Sequence, residues 1–203
     1  MLEARGELIA LLDSDDLWSK NKLESQINKM DESKCDLVYC HGSEFNDWSD
    51  HRFVHTAEFR GNCYDLYKKF PTKSVIVLPS SSTLFKRDIL AKSGLFDPAV
   101  PQPAEDWDFF QRISKYASID YCDEVLVYYR RHSGNASNLL HQYLKGNKVA
   151  VKKLISNDAN LSFLERRKIW MRFQLVSAKV LFGHGNYTGA VASLVQILLP
   201  ILI

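Results

Sequence analysis

An α/β fold is what this sequence predicts, and three observations lead there. Short apolar runs alternate with helix-periodic segments through the first part of the chain. A tight acidic cluster, Asp13-Ser14-Asp15-Asp16, stands where the first of those runs ends. From about residue 139 onward the pattern turns wholly helical. Strand–helix–strand rhythm belongs to α/β sheets, and ligands in such sheets bind beyond the carboxyl ends of strands.

Leu8 to Leu12 is a continuous apolar run and reads as a strand buried on both faces. A helix follows from about Lys20, with Ser19 as N-cap and Leu23, Ile27 and Met30 on one face. Asp36 to Cys40 is the next strand, and the polar stretch Gly42 to Asp50 reads as a loop. Arg52 to His55 is a weak strand; Val75 to Leu78 is a stronger one, stopped by Pro79. Ser82 to Phe85 is another, followed by a short helix over Arg87 to Lys92 that Gly94 terminates. After the proline-rich loop Asp97 to Pro103, Glu105 to Tyr116 is helical through Phe109, Ile113 and Tyr116, and Val125 to Arg130 is a β-branched and aromatic strand. Helices are expected near 139–155, 162–182 and 187–199. The chain therefore divides into a sheet domain over 1–137 and a helical extension over 138–203.

Composition narrows the function. At 203 residues, 46% hydrophobic and 25% charged, with mean hydropathy −0.22, the chain is neither disordered nor fibrous. A net charge of +2 argues against non-specific nucleic-acid binding. Cys35, Cys40, Cys63 and Cys122 show no zinc-ligand spacing and read as reduced thiols, so a cytoplasmic setting is expected. No signal peptide is visible at Met1. The apolar end Leu194 to Ile203 is shorter than the about 20 residues a bilayer span needs.

Three segments carry chemistry. Asp13, Asp15 and Asp16 repel one another unless a cation binds. In an extended segment Asp13 and Asp15 point the same way, which suits Mg²⁺ or Mn²⁺ shared with a nucleotide diphosphate. Capping of a turn is the plainer alternative. A calcium loop ending at Glu24 fails because Trp18 occupies its glycine position. Glu105, Asp106 and Asp108 open a helix, where acids favour the dipole; one of them, partly buried beside Trp107, could also act as general base toward an acceptor hydroxyl. Arg130, Arg131 and His132 follow a strand and could neutralise an anionic leaving group.

Together these segments resemble family-2 glycosyltransferases of the GT-A fold. The run Ala4 to Trp18 and on to Gln26 looks like that family's centre. Ser81 to Arg87 with Gly94 to Asp97 is similar to its acceptor-side segment, Glu105 to Phe109 to its acidic motif, and Tyr129 to His132 with Ser137 to its closing motif. The resemblance implies a partial GT-A (Rossmann-like) mixed sheet with flanking helices. It implies metal and diphosphate binding by Asp13 and Asp15 with Asp16, Arg130 and His132 nearby, Asp106 as catalytic base, and Glu105 shaping the acceptor site. The implied reaction is inverting, from a nucleotide-sugar donor to a glycan or lipid-linked acceptor, in polysaccharide biosynthesis. In that family a nucleotide-binding half of roughly ninety residues precedes the D-x-D strand. The chain is therefore expected to be a truncated transferase that is inactive alone, or a remnant or partner subunit completed by another chain. A phosphohydrolase using Asp13 and Asp15 would need further ligands, and His41, His51 and His55 lack ligand spacing. Lys152, Lys153, Arg166, Arg167 and Lys168 beside apolar helices raise peripheral membrane contact as an expectation.

Overall fold

A computed structural model describes residues 1, 3–46, 51–71, 73–135 and 139–199, the side chains of His51 and Arg52 excepted. A mixed sheet forms the centre. Its strands are β1 (Leu8–Ala10), β2 (Leu17–Trp18), β3 (Leu37–Phe45), β4 (His51–His55), β5 (Leu84–Lys86) and β6 (Ile119–Arg130). The order is β1-β5-β3-β6-β2, with β4 also paired to β3. Among these strands only β3 and β6 run parallel; their register joins Leu37 to Ile119 and Phe45 to Arg130, with irregularities around His41. The long central pair carries Tyr129 and Arg130 to the end of the sheet beside the aspartate turn.

Helix α1 (Lys22–Ser33) lies over the sheet, α2 (Tyr64–Lys69) and α5 (Glu105–Ser114) cover the other core, and short α3 (Pro79–Ser82) and α4 (Leu90–Ser93) shape the loops between them. Gly94 at φ +73° closes α4, its N–H bonded to the Leu90 carbonyl at 3.0 Å, as the sequence predicts for that glycine. Three helices end the chain: α6 (Leu140–Asn157), α7 (Phe163–Gly183) and α8 (Tyr187–Leu198). Ala150, Leu154, Ile155, Trp170 and Phe173 join the same buried cluster as Phe85, Phe109 and Tyr39, so α6 and α7 share the core of the sheet. The expected boundary at 137/138 lies outside the described residues.

Several local expectations are corrected. On α1 the buried side is Lys22, Gln26 and Met30, while Leu23 and Ile27 are exposed. The reason is hydrogen bonding: Gln26 Nε2 donates to the carbonyls of Val38 (3.2 Å) and Ser82 (2.7 Å), acceptors that an apolar side chain would strand. The helix starts after Asn21 rather than Ser19. The first strand stops at Ala10, leaving Leu12 exposed. Val75 to Leu78 form bends instead of a strand, since Leu78 takes φ +43° immediately before Pro79; Val75 and Ile76 are nevertheless buried. Part of the stretch read as a loop, Gly42 to Phe45, continues β3; Gly42 serves there because a Cβ would stand 2.2 Å from Leu78 Cδ1.

Candidate active site

The turn after β1 is organised by its third acid. Asp16 is buried, accepts from Ser81 Oγ at 2.5 Å, and accepts from the Arg130 N–H at 3.1 Å. Ser81 Oγ in turn accepts the Asp13 N–H (3.1 Å), and Trp18 Nε1 donates to the Ser81 carbonyl (2.8 Å). Burial pushes the Asp16 carboxyl up to about 6, against the lowering effect of those two hydrogen bonds. Asp16 lines the same cavity as Asp13 and Asp15, and both its oxygens also tie β2, α3 and β6 together.

That arrangement leaves Asp13 and Asp15 facing a cavity of about 640 Å³. Burial, and then the charge of Asp15, raises the Asp13 carboxyl. Asp15 Oδ2 lies 2.9 Å from His132 Nε2. The Gly134 N–H points at His132 Nδ1 (3.1 Å), so the neutral ring carries its proton on Nε2 and donates it to Asp15. Asn135 Oδ1 accepts the His132 N–H at 2.6 Å and fixes the loop. Ser137, the last residue of the expected closing motif, lies outside the described residues.

Arg130 is a correction. Its Nε donates to the Asp15 carbonyl (3.0 Å) and its guanidinium lies 4.6 Å from the centre of the Phe45 ring, so it braces the turn from behind. Arg131 lines the cavity instead, 3.4 Å from Glu44. Alternation along a strand sends neighbouring side chains to opposite faces, and the parity of this pair was not readable from its sequence.

The facing wall is the first turn of α5. Glu105 and Asp106 both line the cavity, whereas Asp108 is buried and pairs with Arg112 (2.9 Å) and Lys153 (3.0 Å). Burial, then the neighbouring charge of Glu105, pushes the Asp106 carboxyl up to about 7, although the Trp107 N–H donates to it at 2.5 Å. Burial also raises Glu105, with Asp13 adding to it. Glu105 Oε2 is buried without a hydrogen-bond partner among the described residues. Asp13, Asp15, Glu105, Asp106 and His132 therefore meet around one cavity although 119 positions separate the first from the last.

Glu44 and Lys73, which the sequence reading did not single out, also line the cavity, as does His55, weighed there only as a metal ligand. Glu44 binds His55 at 2.9 Å across the β3–β4 pair. The only signal was a charged residue within an otherwise small and apolar run. His41 pairs with Asp123 at 2.8 Å, and the His51 side chain lies outside the described residues. No group of three or more His, Cys, Asp or Glu side chains able to hold a metal occurs among the described residues. Asp13 and Asp15 supply hard carboxylate oxygens at the cavity mouth, a donor set suited to a divalent cation that takes further oxygens from a phosphate ligand.

A model described as "Glycosyltransferase like family 2" matches residues 1–163. An uncharacterized glycosyltransferase of Rickettsia typhi is 31% identical over 140 residues, which make up 66% of this chain and 42% of that protein. Among solved structures, S. aureus TarS 1-349 in complex with UDP-GlcNAc superposes with TM-score 0.65 at 17% identity, over 97% of this chain and 59% of that one. A longer TarS structure gives 0.60 at 17% identity, over 98% of this chain and 35% of that one. The chain thus spans less than two thirds of the length of these relatives, and the two structural likenesses speak to the fold. Matched along most of its length, and with its acids converging where an α/β sheet binds ligands, the chain belongs to glycosyltransferase family 2.

Proposed function

We propose that this chain carries the catalytic and acceptor side of an inverting, metal-dependent glycosyltransferase that uses a nucleoside-diphosphate sugar. The observation that supports this most is the Asp106 carboxyl, held near pKa 7 in the cavity that Asp13 and Asp15 also face. A base titrating near the working pH is well matched to removing a proton from a hydroxyl. In the proposed step the acceptor oxygen bonds to the anomeric carbon and gives its proton to Asp106. The bond from that carbon to the diphosphate breaks with inversion. Asp13 and Asp15 would hold Mg²⁺ or Mn²⁺, which when bound supplies positive charge for the diphosphate. His132 keeps Asp15 oriented toward the cavity; Glu105 and Arg131 would shape the acceptor side. Glycan or lipid-linked hydroxyls are the acceptors this reading favours, and UDP-GlcNAc, the donor bound by TarS, is the first to try.

Two readouts test the proposal. Mn²⁺ titration followed by paramagnetic broadening is expected to show tight binding only with UDP present, lost in Asp13→Asn and Asp15→Asn. Donor turnover with Mn²⁺, measured with the chain completed by a preceding nucleotide-binding half, is expected to be abolished in Asp106→Asn while Mn²⁺–UDP binding persists. Binding indifferent to UDP, or turnover indifferent to Asp106→Asn, refutes it.

A further inference from the structure

The α7–α8 hairpin has a buried side and a bare one. Trp170 Nε1 donates to the Gln196 carbonyl (3.3 Å), Arg167 reaches the carbonyls of Ile197 and Leu199, and the Phe182 and Tyr187 rings meet at 5.2 Å, so α8 runs antiparallel back along α7. Only Ala190 of α8 is buried. At about 100° per residue, Leu164, Met171, Leu175 and Phe182 fall within about 40° of one another on α7; Tyr187, Val191, Leu194 and Leu198 form the matching stripe on α8. All eight are exposed, Leu198 at 81% and Leu164 at 67%. The phases of two antiparallel helices put both stripes on the side of the hairpin away from α6. The result is a continuous apolar face with nothing over it among the described residues.

Charge says what could cover it. From Arg166 to Ile203 there are five basic and no acidic residues, while residues 1–165 carry 21 basic against 24 acidic. Helix α8 has no charged residue at all. The five cations are not the set expected from the sequence. Arg166 turns inward to the Ile155, Leu161 and Asp158 carbonyls, Arg167 caps α8, and Lys153 pairs with Asp97 and Asp108. Lys168, Arg172 and Lys179 remain exposed, in a row beside the α7 apolar stripe. A second copy seated here by a two-fold axis would bring this cationic row against itself, and the acid beside it on α7, Glu165, is already engaged in capping Ser162. An anionic bilayer surface matches both parts, taking the apolar side chains at acyl depth and the lysine heads at its phosphates.

We infer that the outer face of the α7–α8 hairpin docks this chain on an anionic lipid surface. The inference does not depend on the transfer chemistry. Its test is co-sedimentation of the whole chain with vesicles of phosphatidylcholine alone, or with about one third phosphatidylglycerol, at low and high salt. Binding is expected only to the anionic vesicles, weakened by salt. Lys168→Gln with Lys179→Gln should weaken it about thirtyfold, and Leu194→Asn with Leu198→Asn should abolish it, with circular dichroism unchanged because all four side chains are solvent-facing. Equal binding by wild type and variants overturns the inference, as does the absence of binding to anionic vesicles. Concentration-dependent dimers in vesicle-free ultracentrifugation, lost in the Leu194/Leu198 variant, would assign the face to a second copy instead.

Discussion

Replacing Asp106 with asparagine is expected to stabilise the metal-free protein most at alkaline pH, by less than half as much at pH 5, and not at all below about pH 3. The folded protein holds the Asp106 proton to about pH 7, whereas an ordinary aspartate releases it near 3.8. Between those values the native state binds the extra proton, so stability falls as pH rises through this window. Each pH unit between the folded and unfolded values is worth about 1.36 kcal/mol, which bounds the full penalty at about 4 kcal/mol. Part of the residue remains open to the cavity, so about 2–3 kcal/mol is the expected gain above pH 8. For a chain of this length that is about 5–10 °C in Tm. Asparagine keeps an oxygen for the Trp107 N–H and carries no charge to set against Glu105. Asp16 titrates in the same direction, but it is common to both proteins and cancels in the comparison. Thermal melts of wild type and variant in EDTA at pH 5 and pH 8.5 give the answer. A Tm difference equal at the two pH values would refute the strained-carboxylate account, and with it the tuned base.

Lys22 is the converse case. It is buried with its Nζ on Gln26 Oε1 (2.6 Å) and 4.1 Å from the Trp18 ring centre, and burial lowers it to about 8. Its folded value lies below the unfolded one, so the penalty is complete below pH 8 and disappears as pH rises toward 10.5; Lys22→Met should gain about 1–2 kcal/mol in urea melts at pH 7 and nothing near pH 10.5. Ser81→Ala removes the hydroxyl shared by Asp16 and the Asp13 N–H, and should cost about 1–3 kcal/mol by the same measurement. Gly146 sits where a Cβ would stand 2.8 Å from the Pro101 carbonyl and 2.9 Å from Ala104 Cβ. Gly146→Ala should therefore lose about 1–3 kcal/mol in the same urea melts.

The elements that were legible in the sequence are those whose signal is local. The α5 periodicity, the Gly94 cap and the long helical tail each depend on residues within a turn or two. The acids at 13–16 and 105–106 were also visible, because unpaired like charge at a strand end or helix start is unusual whatever surrounds it. Where a residue's role depended on a distant partner, the pattern misled. Lys22 and Gln26 look like the polar face of α1, yet Gln26 is drawn inside by carbonyls 12 and 56 positions away. Val75 to Leu78 have strand composition, but burial against α5 and the turn at Leu78 make them bends.

By itself the sequence determined which side chains could hold charge, take a proton or form a helix, since those are properties of residues and near neighbours. Tertiary structure decided how the similar groups were divided. Arg130 became a brace, Asp16 a brace that also lines the cavity, and Asp13, Asp15 and Arg131 cavity groups; Asp108 went to an ion pair and Asp106 to the cavity wall. Each division depends on strand parity, burial and hydrogen-bond partners, and these exist only once β6, α3 and α5 have been brought around the same turn.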